Sequence, residues 1–203
     1  AADARALARE CNEYFARLTA DQPTRWGWFA TLPLPDVEGA LTEIAYAFDT
    51  LKADGVCFMS NYQGKYLGDP AFTPVMEELH RRRAVAYTHP VRGEGMINLL
   101  PEGRALGITL TTETTLTIAS VLASGTATRY PNIRFIWSHG GGTMPYITSR
   151  FGAGPLPNSA EPNPTLAAIQ GFYYDVAQAF NPYTLASLTT LVPASHILFG
   201  TDY

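Results

Sequence analysis

The chain has 203 residues, 46% hydrophobic and 16% charged, with a net charge of -4. That is enough for one domain with a full core, and the acidic balance without a basic tract argues against nucleic acid as a partner. No apolar run reads as a membrane span and no charged-then-apolar leader opens the chain. A cytoplasmic protein without a membrane partner is therefore expected. Cys11 and Cys57 form no CxxC pair and read as buried thiols.

In chain order, the first segment predicts an amphipathic helix with Leu7, Cys11, Tyr14, Phe15 and Leu18 on its buried face. Trp26 to Leu32 predicts a strand. Asp36 is placed to cap a helix lined by Val37, Leu41, Ile44, Phe48 and Leu51. A short strand, Val56 to Met59, exits through Ser60-Asn61 into a Gly/Pro loop. The next helix carries Val75, Met76 and Leu79 and ends on Arg81, Arg82 and Arg83, which read best as a solvated basic patch. A third strand, Ala84 to Thr88, delivers His89. Val91 to Thr112 shows no period and reads as a long loop, before a helix over Thr114 to Thr128.

The fourth strand belongs to the most informative stretch, YPNIRFIWSHGGGTMPYITSR at 130–150. Ile133, Phe135, Ile136 and Trp137 favour a strand, which ends on Ser138-His139 and a Gly140-Gly141-Gly142 turn. Met144 to Phe151 predicts a short helix and Gly152 to Pro164 a loop. Phe172 to Val176 is a fifth strand, Tyr183 to Val192 a helix, and Ile197 to Phe199 a sixth strand running into Gly200-Thr201-Asp202-Tyr203. The alternation of strand and helix predicts an α/β fold with a parallel sheet. Taken alone, a polar residue at a strand end is as readily a structural imidazole as a chemical group. Here His89, His139 and Asp202 all sit at carboxyl ends of predicted strands, which a parallel barrel gathers on one face. Two imidazoles and a carboxylate suit a divalent metal with one group left for acid–base work.

With THP at 88–90, SHGGG at 138–142 followed by Pro145 and Arg150, and FGTDY at 199–203, the chain resembles the metal-dependent amidohydrolase-related decarboxylases. WGWFATLPLPDVEGALTEIAYAFDTLKADGV is most similar to their 6-methylsalicylate decarboxylase-like branch. The resemblance implies a (β/α)8 TIM barrel, of which about six strand–helix units are present in residues 1–203, read as a single domain. It implies one divalent metal, Zn2+ first and Mn2+ second, and non-oxidative loss of CO2 from an aromatic or dienoic acid of hydroxybenzoate type. His89 and Asp202 match metal ligands, and Asp202 also belongs to the catalytic set. His139 matches the catalytic acid–base. Arg150 matches a substrate-binding arginine that completes the site of a neighbouring subunit, so a homodimer acting on a small aromatic carboxylate is expected.

Two departures accompany the resemblance. The family's opening strand, with His-x-His or Glu-x-His, is not present, nor are the helices that follow the last strand. The 203 residues therefore read as the middle of a longer protein or a truncated form, expected to hold metal poorly and to be inactive by themselves. Glu113-Thr114-Thr115-Leu116 stands where relatives often have Asp-Thr-Thr-Arg, which leaves substrate contacts from this helix open. A lactonase-type hydrolase on the same scaffold and a non-catalytic piece remain the alternatives.

Overall fold

A computed structural model describes residues 2–93, 105–152 and 163–203. Six strands form one parallel sheet: β1 (Phe29–Thr31), β2 (Gly55–Met59), β5 (Val85–His89), β6 (Arg134–Trp137), β7 (Tyr173–Asp175) and β8 (Ile197–Leu198). A two-stranded hairpin, β3 (Asn61–Tyr62) and β4 (Lys65–Tyr66), rises from the end of β2. Among the described residues the α-helices are α1 (Ala2–Asp21), which precedes the sheet, α2 (Val37–Asp49), α3 (Thr73–Arg82), α4 (Leu106–Ala123), α5 (Thr126–Arg129), α6 (Met144–Ile147), α7 (Pro164–Gly171) and α8 (Pro182–Leu191). Within the sheet each strand pairs with its successor in the chain, in the order β1-β2-β5-β6-β7-β8. A doubly wound sheet would reverse direction at a switch point, and this one never does. Its winding is that of six consecutive units of a (β/α)8 barrel.

One face of the sheet is dry. Ala30, Val56, Phe58, Ala86, Phe135 and Trp137 are buried on it against the helices. The rings of Phe135, Trp137 and Phe172 form its aromatic centre, with centroids 5.2 to 5.9 Å apart. Alternation sends Cys57, Tyr87, His89 and Ile136 to the other face, where they are half-buried. That is why the strand over Arg134–Trp137 is not buried throughout.

Most expected elements lie within a few residues of their predicted bounds. Asp36 caps α2 by accepting from the Gly39 N–H, and Val75, Met76 and Leu79 of α3 are buried. Four expectations need correction. The predicted apolar face of α1 is turned outward: Leu7 is 62% exposed, and Tyr14, Phe15 and Leu18 are exposed too. The helix docks by a polar face. Asn12 bonds both backbone groups of Thr31, at 2.9 and 2.8 Å, much as a neighbouring strand would, and donates to Glu43 at 2.8 Å. Arg9 reaches the same Glu43 at 2.8 Å and stacks on Tyr46. These specific hydrogen bonds override the hydrophobic stripe.

Of the arginines ending α3, Arg81 and Arg83 are exposed as expected, and only Arg82 departs from a solvated patch. Arg82 is largely buried and joins Asp49 of α2 to Glu78, while Arg83 closes the helix in a left-handed conformation. The predicted loop over Val91 to Thr112 is shorter than expected, because α4 begins at Leu106; part of that segment, 94–104, lies outside the described residues, as does 153–162 of the later loop. Finally, α4 is long and apolar enough to cross a membrane by length and composition, at 18 residues and mean hydropathy 1.3. It buries Thr109, Glu113, Thr114, Thr115 and Thr117 together with Ile118 and Val121, which join the hydrophobic core.

Candidate active site

His89 is the last residue of β5, on the same face as Tyr87 and beside Met59 of β2. His139 follows β6 by two residues, and Asp202 follows β8 by four. Parallel pairing puts all three at one end of the sheet. The Nε2 atom of His89 lies 3.0 Å from Oδ1 of Asp202, and Nε2 of His139 lies 3.5 Å from Oδ2. The two rings meet edge to face, 5.5 Å apart, and one ligand atom from each of the three residues falls within a mutual 4.8 Å. The hydrogen bond from His89 first, and the nearby charge of His139, hold the Asp202 carboxyl below its ordinary range.

This donor set fits a divalent cation. Bonds of about 2.1 Å in tetrahedral geometry put neighbouring donors about 3.4 Å apart. The proposed ligand pair, His89 and Asp202, is 3.0 Å apart, within a few tenths of an ångström of that spacing. The residue types, nitrogen and carboxylate oxygen, suit zinc or manganese alike.

His139 is held in an uncommon backbone state. Its φ is +55°, and Gly140, Gly141 and Gly142 follow at +65°, +76° and +65°. A non-glycine residue there costs about 1–2 kcal/mol and needs outside support. The support comes from Asp175, whose Oδ1 accepts the His139 N–H at 2.8 Å. Two of the glycines are required by close approach as well as by φ. A Cβ on Gly141 would meet the Tyr174 ring at 2.7 Å, and one on Gly142 would meet the Thr111 carbonyl oxygen at 2.2 Å.

A cleft of 210 Å³ opens beside the cluster, lined by Leu110 and Thr111 of α4, His139, Gln178, Thr184 and Asp202 among others. A cavity of about 150 Å³ accommodates benzene, so the cleft has room for one substituted ring. From α4 this lining takes Gly107, Leu110 and Thr111, which precede the predicted Thr114 helix, whereas Leu116 is exposed. Arg150, in a 3-10 turn over Thr148–Phe151, is exposed and is not part of this lining.

Two residues beside the cluster, Gln178 and Asp175, and the buried Glu113 of α4 have partners that the sequence does not announce. Gln178, at φ +52°, donates from its amide to Oδ2 of Asp202. Glu113 is fully buried and accepts from Asn61 at 2.8 Å, Tyr66 at 3.2 Å and Ser60 at 3.3 Å, fastening the β3–β4 hairpin to α4. No motif announces Gln178. The acidic residue at the end of β7 was the available signal for Asp175.

A parallel sheet wound in barrel order, with His, His and Asp gathered at the carboxyl ends of its strands, is a partial (β/α)8 barrel with a candidate site for a divalent metal. The Amidohydrolase family model matches residues 1–203, and the chain belongs to that family. It is 39% identical over 217 residues to a 6-methylsalicylic acid decarboxylase of Aspergillus aculeatus, covering 100% of this chain and 64% of that protein. A 6-methylsalicylic acid decarboxylase of Penicillium expansum is 37% identical over 211 residues, covering 98% and 64%. Among solved structures, a dihydroxybenzoic acid decarboxylase of Polaromonas with bound manganese and 2-nitroresorcinol superposes with a TM-score of 0.82 at 24% identity, covering 98% and 65%. The chain thus spans about two thirds of the length of these relatives.

Proposed function

We propose that the protein is a metal-dependent decarboxylase of a hydroxybenzoate-type acid, acting without net oxidation. The observation that carries this reading is the convergence of His89, His139 and Asp202 beside a ring-sized cleft, in a chain whose curated relatives are named for aromatic acid decarboxylation. His89 and Asp202 would hold the cation, zinc or manganese, which supplies Lewis acidity toward a substrate oxygen. His139 moves the proton. Loss of CO2 breaks the bond between ring and carboxyl carbon and leaves the electron pair on the ring carbon, and a proton from the His139 imidazole restores the C–H bond. His139 is 8% exposed and its backbone is fixed, so it meets that carbon in one orientation.

Arg150 is proposed to grip the substrate carboxylate of a neighbouring subunit in a homodimer, since its planar fork matches a carboxylate and it stands outside the lining of its own cleft. Mixing Arg150→Ala with His139→Asn protein should then restore activity through hybrid dimers with one intact site. Full subunit exchange without recovery would assign Arg150 to its own subunit.

The test of the main reading is CO2 release by the whole protein from 6-methylsalicylate and 2,6-dihydroxybenzoate, measured beside hydrolysis of aromatic lactones. Metal-dependent CO2 release is expected. Lactone hydrolysis with no CO2 from either acid would replace this reading with the hydrolase one.

A further inference from the structure

We propose that Asp175 is the positioning residue of the His89–His139–Asp202 cluster, the single group through which all three strand ends are held in register. The proposal rests on the metal-site reading above. Asp175 is 4% exposed, at the end of β7, and touches every arm of the site. Its Oδ1 accepts the N–H of His139 at 2.8 Å and the N–H of Ala177 at 3.0 Å. Its Oδ2 accepts the hydroxyl of Tyr87 at 2.9 Å.

Each of these contacts leads to a cluster residue. The His139 bond supports a left-handed conformation that a non-glycine side chain disfavours, and so fixes where the imidazole starts. Tyr87 is two residues before His89 on the same face of β5, so anchoring its ring anchors that strand end. The Ala177 bond closes the turn after β7 that places Gln178 against Asp202. On the fourth side, a Cβ on Gly200 would lie 3.0 Å from the Asp175 Cγ, so the backbone leading to Asp202 packs directly on this carboxylate.

Asp175 therefore acts through hydrogen-bond geometry rather than by touching substrate or metal. That distinguishes it from an acid–base group, because an amide of the same shape can do most of its work. In Asp175→Asn the remaining oxygen still accepts both backbone N–H groups, and the new N–H2 donates to the Tyr87 oxygen. Asp175→Ala leaves all three donors without a partner.

The experiment measures Mn2+ affinity by calorimetry and His139 amide exchange by NMR, on metal-free whole protein with both variants. Asp175→Ala is expected to lower Mn2+ affinity by about tenfold or more, the usual scale for losing an orienting group behind a metal site. It should also speed exchange of the His139 amide, while Asp175→Asn stays within about threefold of wild type on both measures. A folded Asp175→Ala protein with wild-type Mn2+ affinity overturns the proposal, as does an Asp175→Asn protein as impaired as the alanine. If Asp175→Ala does not fold, Tyr87→Phe decides, since it removes one arm and leaves the carboxylate. A measurable loss of Mn2+ affinity supports the hub, and wild-type affinity refutes it. Wild-type protein that binds no Mn2+ would refute the metal reading and the proposal with it, whereas wild-type binding with an indifferent Asp175→Ala refutes the proposal alone.

Discussion

Gly142→Ala tests whether the loop carrying His139 is as tightly wedged as its geometry indicates. Two costs are separable. Gly142 has φ +65° and ψ −126°, outside the left-handed helical basin, so an alanine there costs at least the about 1–2 kcal/mol of that basin. Its new Cβ would also lie 2.2 Å from the Thr111 carbonyl oxygen and 2.6 Å from Thr115 Oγ1, so the backbone of α4 or of the loop must shift. Overpacking of that kind costs about 1–3 kcal/mol more. Gly152 is the uncrowded reference: it lies in the left-handed helical basin at φ +82° and ψ +9°, a milder backbone state than that of Gly142, and nothing lies within 4 Å of the position its Cβ would take. Gly152→Ala should therefore show that milder backbone cost alone. Urea unfolding should place Gly142→Ala below wild type by about 3 kcal/mol, and Gly152→Ala by about 1 kcal/mol. In thermal melts of a protein this size, the first corresponds to a drop of about 6–12 °C. Equal losses in the two variants would mean that the crowding against Thr111 relaxes freely, and the picture of a wedged loop would fail.

The metal reading predicts that His89→Ala lowers bound zinc or manganese along with turnover, whereas His139→Asn abolishes turnover and keeps most of the metal; elemental analysis separates them, and parallel loss of metal in His139→Asn would make it a primary ligand. Glu113→Leu should cost about 3 kcal/mol, because three donors lose one acceptor, and Glu113→Gln, which keeps an acceptor oxygen, about 1 kcal/mol; a neutral Glu113→Leu would show that the hairpin does not depend on it. The Asp36 carboxyl is held at about 2, first by the Arg5 side-chain bond and then by the Gly39 N–H. Its pKa is depressed on folding, so its stabilisation is complete above the unfolded value near 3.8 and is lost as pH falls toward 2. Asp36→Asn should flatten the acid limb of a pH–stability profile in that window, and an unchanged slope between pH 4 and 2, in a scan run about that far, would remove the pair from the account.

How much of this was legible in the sequence follows from how local each signal is. Strand-end residues next to a glycine turn are visible in one short stretch, and His89, His139 and Asp202 were found that way. The winding order was not fixed by the alternation of strand and helix, since an open sheet and a barrel share it; only the pairing of each strand with its successor decides. The face of α1 misled because periodicity reports apolar residues, and this helix is docked by Asn12 and Arg9 through partners at Thr31 and Glu43. The roles of Glu113 and Asp175 were missed for the same reason. Their meaning lies in donors far away in the chain, such as Tyr87 for Asp175 and Asn61 for Glu113. A buried carboxylate is read correctly only when its donors are known.

These distant bonds also explain an asymmetry within the cluster. His139 sits in the more enclosed half: Ser138 and Trp137 before it are buried, Gly141 lies against the Tyr174 ring, and the Tyr174 hydroxyl is itself spent on the Ile169 carbonyl at 2.7 Å. Nothing there can move without breaking close packing. Asp202 occupies the opposite, more open half. Its side chain is 23% exposed, its φ is +62°, and its oxygens are shared between His89, His139 and Gln178. His139, the proposed acid–base group, is thus the rigid member and the carboxylate the adjustable one. That division suits the proposed chemistry, in which a proton must reach one ring carbon along a fixed line while the ligand carboxylate adapts to the cation. It also places any gain from repacking at Asp202 and Gln178, and any loss from repacking at the Gly140–Gly142 turn.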